Sequence, residues 1–121
     1  MNILIQIPAL LLALVFIVFG AMFFLHLPMP PMSGDAGAFA GLLYKTGYLT
    51  VVKVLEVSIG ILLAIPVTRA LGLLLIAPIC VNIMLFELCI AQKPGIGVAL
   101  VLINALAIFL KKEKYFGIIA K

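Results

Sequence analysis

ILIQIPALLLALVFIVFGAMFFL, residues 3–25, is the stretch that decides the fold. It carries no charge, and Gln6 is its only strongly polar side chain. At about 1.5 Å per residue, roughly 20 apolar residues cross the ~30 Å hydrocarbon layer of a bilayer. A run of this length therefore predicts a membrane-spanning helix. Pro8 falls in its first turns, where a missing donor does least harm. The run lacks a Lys/Arg-rich start and exceeds the ~7–15 apolar residues of a secretory signal, so it is expected to be a retained helix.

The rest of the chain has the same character. Of 121 residues, 67% are hydrophobic and 10% charged, and the mean hydropathy is +1.44. Soluble domains hold about 45–50% apolar and about 25% charged residues. A chain this short cannot bury such an excess from water. Apolar segments are expected at residues 48–65, 70–91 and 96–110, each too long and too continuous for the alternating strands of a membrane barrel. Pro66-Val67-Thr68-Arg69 and Gln92-Lys93-Pro94-Gly95 separate them.

The longest connection follows the first segment. Pro28, Pro30 and Pro31 exclude helix there and favour extended backbone. Ser33 or Asp35 is then suited to cap a short helix over 36–44, too short to span and expected at the membrane surface. The predicted class is an all-α membrane protein. Residues 1–121 form a single transmembrane domain, a four-helix bundle with one interfacial helix in its first loop.

The net charge of +4 is read through the membrane and not as a nucleic-acid signal. Lys111, Lys112, Lys114 and Lys121 cluster beside the last apolar segment, and Arg69 belongs to the same side of a four-span topology. Lys45 and Lys93 lie on the other side, with Lys53 nearby. The positive-inside rule puts both termini in the cytoplasm and the proline-rich loop outside.

Charged and amide groups inside apolar segments mark candidate sites, because an ionised group at mid-membrane costs about 2.5–3.5 kcal/mol on insertion scales. Depth along a helix matches Lys53 with Glu87, roughly 6–8 Å below the outer boundary, and Glu56 with Asn82, roughly 12–14 Å below it. His26 and Gln92 belong to the same mouth. Lys53, Glu56 and Gly60 share one helix face by their spacing. Asn82 and Glu87 lie about 140° apart around theirs, so Glu87 can reach toward headgroups instead. The candidate intramembrane polar site is therefore Lys53, Glu56, Asn82, Glu87 and His26. It reads either as an ion pair with an interhelical hydrogen bond or as a pocket for a lipid-like or quinone-like molecule. A proton or ion path is the third reading. The inner half of the bundle is expected to lack charged side chains.

Other features point to packing. His26 with Met29 or Met32 is not a metal or haem ligand set. Gly95-Ile96-Gly97 lacks the third glycine and the strand of a dinucleotide fingerprint. Cys80 and Cys89 are roughly 13 Å apart along one helix, beyond disulfide reach. Ala9, Ala13, Gly20 and Ala21 suit close helix contact. No nucleophile arrangement for catalysis is present.

Phe19-Gly20, His26-Leu27-Pro28-Met29-Pro30-Pro31, Thr46-Gly47-Tyr48, Lys53-Val54-Leu55-Glu56, Ala77-Pro78 and Val81-Asn82-Ile83 together resemble the DoxX-like family of small four-helix membrane proteins. The resemblance runs from about Leu11 to Leu110. Ala21-Met22 and Glu87 depart from it, since relatives often carry a polar residue after the glycine and a histidine in place of the glutamate. The resemblance implies a bacterial inner-membrane protein. It also implies a link, in some members, to quinone-coupled oxidation of sulfur compounds or to membrane oxidoreductase complexes.

The leading functional expectation is an accessory membrane subunit or small lipid- or quinone-binding protein, with no catalysis of its own. The alternatives are a quinone-linked oxidoreductase subunit and a small proton-coupled transporter. No cofactor is predicted, and quinone is the one redox group left open. Expected partners are the lipid bilayer and a membrane subunit or second copy, without nucleic acid.

Overall fold

A computed structural model describes residues 3–26, 32–93 and 95–115. The proline-rich extended stretch at 27–31, Pro94 and Lys121 lie outside them. The fold is all-α, with five α-helices: α1 (Ile3–Phe24), α2 (Gly34–Thr46), α3 (Tyr48–Ala64), α4 (Arg69–Leu85) and α5 (Ile96–Leu110). A π-helical turn, Phe86–Ile90, prolongs α4, and a 3₁₀ turn, Lys112–Tyr115, follows α5.

Two helical stretches are long and apolar enough to cross a membrane: α1, and α4 with its π turn, each 22 residues or about 33 Å. The bent pair α2–α3 raises the number to three if it counts as one span, and α5 is a shorter apolar helix. The expected break near Pro66 is sharp, since Ile65 turns to extended backbone and α4 begins at Arg69.

The bend between α2 and α3 is 85°. Its cause is Gly47, whose φ of 82° lies in the left-handed region that a side chain disfavours. Gly47 closes α2 by donating its N–H to the Tyr44 carbonyl and starts α3 in the same residue. The predicted 36–44 helix is thus longer, Gly34–Thr46. Ser33 holds its N-cap position in extended backbone and Asp35 sits in its first turn, but Ser33 makes no side-chain cap bond.

α1, α3, α4 and α5 pack as a four-membered ring, each against two neighbours: α1 on α3 and α5, and α4 on α3 and α5. Small residues let α1 and α3 approach. A Cβ on Gly20 would collide with Val57, and one on Gly60 would lie 2.7 Å from Ile17. Ala9, Ala13 and Gly20 are buried as their size suggests, whereas Ala21 is exposed. The core they border is apolar: Leu12, Phe16, Leu63, Leu73, Ile76 and Cys80 are all fully buried.

The ring alternates in direction. The start of α1, the end of α3, the start of α4 and the end of α5 share one end, with Arg69 at its centre. The opposite end holds Lys53, the π turn and α2. There α2 packs on α3 and the π turn, and the Phe39 and Phe86 rings lie 5.5 Å apart.

Candidate functional site

At the α2 end, Lys53 Nζ and Glu56 Oε1 form an ion pair of 3.3 Å on one face of α3. The i, i+3 spacing that suggested a shared face produces this contact. Glu56 is buried and Lys53 half-buried, so the cation faces the rim and the carboxylate the interior. A charge buried in low dielectric needs a partner, and Lys53 supplies it.

The remaining members of the predicted cluster do not join this pair. Asn82 is exposed on α4, although its depth matches that of Glu56. Depth along a helix fixes height and not azimuth, and α4 turns Cys80 inward instead. His26 is exposed at the end of α1, with a φ of 56°.

Glu87 has a different task. Its carboxylate accepts a 2.7 Å hydrogen bond from the Gly97 N–H in the first turn of α5. The unpaired N–H groups and the positive dipole end of a helix both favour an anion there. The two glycines make the space. A Cβ on Gly95 would sit 2.5 Å from Glu87 Oε2, and one on Gly97 would lie 2.6 Å from the Met84 Cα. The Gly95-Ile96-Gly97 sequence is therefore a seat for the Glu87 carboxylate, provided by the π turn that carries it. Glu87 is a helix cap and not a partner of Lys53.

The opposite end holds a charge that sequence reading assigned to a loop. Arg69 is buried, with 6% of its surface exposed. Its Nε donates to the Leu63 carbonyl at 2.7 Å, Nη2 to the Ala64 carbonyl at 2.8 Å and Nη1 to Gln6 Oε1 at 2.7 Å. The carbonyls belong to the last turn of α3, where C=O groups lack helical partners and the dipole favours a cation. One guanidinium thus closes α3, begins α4 and ties both to α1. Its planar fork of donors suits this better than a lysine. Sequence reading gave Arg69 to the turn and did not expect it to be buried. Arg69 follows a turn in sequence, but the tight turn returns it onto α3.

Two more polar ties fasten α5. Asn104 Nδ2 donates to the Leu73 carbonyl at 3.0 Å. Tyr115 donates its hydroxyl to the Ala70 carbonyl at 2.8 Å, and burial pushes its phenol above the ordinary tyrosine range. Among the described residues no buried side-chain nitrogen or oxygen is without a hydrogen bond. No group of three or more His, Cys, Asp or Glu that could hold a metal occurs among them.

What the arrangement can do chemically follows from these partners. The interior polar groups hold helices together, and the Lys53 ammonium, paired with Glu56, lies at the rim. Compared with protein-family models, curated proteins and solved structures, the chain matches none of them.

Proposed function

We propose that this chain is an integral protein of the bacterial inner membrane with four spans, both termini cytoplasmic, that serves as an accessory subunit and catalyses nothing itself. Its DoxX-like sequence features belong to this reading. α1, α3, α4 with its π turn, and α5 are the spans, and α2 lies along the outer surface. The Lys53 ammonium contacts a lipid headgroup or a quinone carbonyl at that surface.

One observation carries the proposal: the polarity is inside and the apolar surface outside. Leu14, Leu71, Leu102 and Leu106 are exposed on three different helices, whereas Gln6, Glu56, Arg69 and Asn104 are buried and bonded within the ring. Water inverts that arrangement and lipid favours it. Interior groups already engaged with one another suit a scaffold better than a reaction centre.

The test is fractionation followed by purification from bacterial membranes. The chain should resist extraction by alkaline carbonate and come away with a membrane partner after cross-linking. Recovery in the soluble fraction would end the proposal. Co-purifying ubiquinone or menaquinone that disappears in Lys53→Met/Glu56→Leu would replace the accessory reading with a quinone-linked oxidoreductase. Cysteines introduced near Lys112 should label from the cytoplasmic face alone; labelling from both faces would favour a dual-topology transporter.

A further inference from the structure

We propose that the Arg69 end of the bundle binds the phosphodiester headgroup of an anionic phospholipid, in the recess between the start of α1 and the lysines that follow α5. This rests on the membrane reading above. The recess is lined by Ile5, Gln6 and Leu110 on its apolar and amide side and by Lys111, Lys112, Glu113 and Lys114 on its charged side.

The charge at this end is unbalanced. Lys111, Lys112 and Lys114 line the recess with Glu113 as the only carboxylate among its lining residues, and the buried Arg69 adds its charge beside Lys111. The other three acids of the chain are committed or remote: Glu56 pairs with Lys53, Glu87 caps α5, and Asp35 lies in α2. Lys111 is half-buried, and burial together with the nearby Arg69 and Lys114 cations holds its ammonium below the usual lysine range. A fold keeps like charges this close at a cost that a bound anion removes.

The recess also joins apolar and basic surface. On the adjoining face of α5, Lys112 lies over the Phe109 ring, its Nζ 4.7 Å from the centroid. Phe109 and Leu110 are exposed beside these lysines. A headgroup phosphate then meets the lysines while the chains run along α1 and α5. Basic recesses between helices at the cytoplasmic surface take anionic headgroups for this reason.

The experiment uses the full chain in nanodiscs and reads retained phospholipid by native mass spectrometry. In discs of equal phosphatidylglycerol and phosphatidylcholine, the wild type should retain phosphatidylglycerol preferentially. Lys111→Gln/Lys112→Gln/Lys114→Gln should lose that preference by on the order of 100-fold, at about 1 kcal/mol per lysine. Lys45→Gln/Lys93→Gln, at the other end, should keep it. A second arm adds inorganic phosphate at constant ionic strength. Little displacement identifies the lipid; displacement as effective as that by phosphatidylglycerol would identify soluble phosphate as the ligand and overturn the lipid assignment. Equal retention of both lipids, or an unchanged triple variant, would also overturn the proposal. A chain that does not enter the discs would overturn the membrane reading on which this proposal rests.

Discussion

Arg69 and Gln6 stand 63 positions apart in the chain and meet at 2.7 Å inside the fold. The amide oxygen of the first helix completes a guanidinium whose other bonds close the α3–α4 turn. This contact joins the beginning of the ring to its middle.

Its removal should therefore be felt far from either residue. Gln6→Leu leaves one arm of a buried cation unpaired, and a hydrogen bond to a charged group is worth about 1.5–3 kcal/mol. Arg69→Lys retains the charge but not the fork, and should recover less than half of what Arg69→Met loses. Denaturant titration in mixed micelles, run as a double-mutant cycle, measures both. Additive single and double losses would show that the two side chains do not cooperate.

At the opposite end, the Lys53–Glu56 pair predicts a reversal of the usual order. Removing one partner of a buried pair costs about 3–5 kcal/mol, because the other charge is stranded. Lys53→Met alone should thus destabilise more than Lys53→Met/Glu56→Leu together. A double variant no more stable than the single would contradict the pairing.

The seat beneath Glu87 predicts opposite signs for the same substitution at two glycines. Alanine normally improves a helix interior over glycine by about 0.5–1 kcal/mol. Gly41→Ala, in α2, meets open space and should be neutral or stabilising. Gly97→Ala meets the backbone of Met84 as well as Glu87 and should cost about 1–3 kcal/mol, as overpacking does. Thermal melts of the two variants check it, and equal shifts would remove the seat from the account.

Alkaline pH should loosen the fastening at Tyr115. Its phenol lies above the ordinary range because burial disfavours the phenolate. A pKa raised in the folded state means that stability is full below about pH 10, the unfolded value, and is lost as pH rises through the folded one. Tyr115→Phe should be less stable than the wild type at pH 8 by about 1 kcal/mol, the worth of one hydrogen bond. The gap should close above pH 10. A gap that stays constant with pH would show that ionisation of Tyr115 is not the cause.

The helix positions were readable because their ends carry residues with unambiguous backbone chemistry. Gly47, Pro66 and the Pro94-Gly95 pair interrupt apolar runs that nothing else interrupts. The Lys53–Glu56 contact was readable because both residues lie on one helix. What escaped is what depends on rotation between helices. Asn82 has the right height and the wrong azimuth. Arg69 looked like a flanking charge because the turn that folds it back onto Leu63 and Ala64 is not visible as composition. The Glu87–Gly97 cap did leave a trace, an acid followed ten residues later by glycine at a helix start, but the π turn that aims the carboxylate has no sequence signal of its own.

The tight turn between α3 and α4 also makes their hairpin nearly self-sufficient in housing its charge. Four residues, Ile65–Thr68, separate the two helices, and two of the three Arg69 bonds reach carbonyls only five and six residues upstream. Those bonds lie within the hairpin and need no other segment. Under the membrane proposal the guanidinium thus finds two of its three partners in the helix just before it, inside one hairpin. Gln6, 63 residues upstream, is the one partner that comes from outside the hairpin.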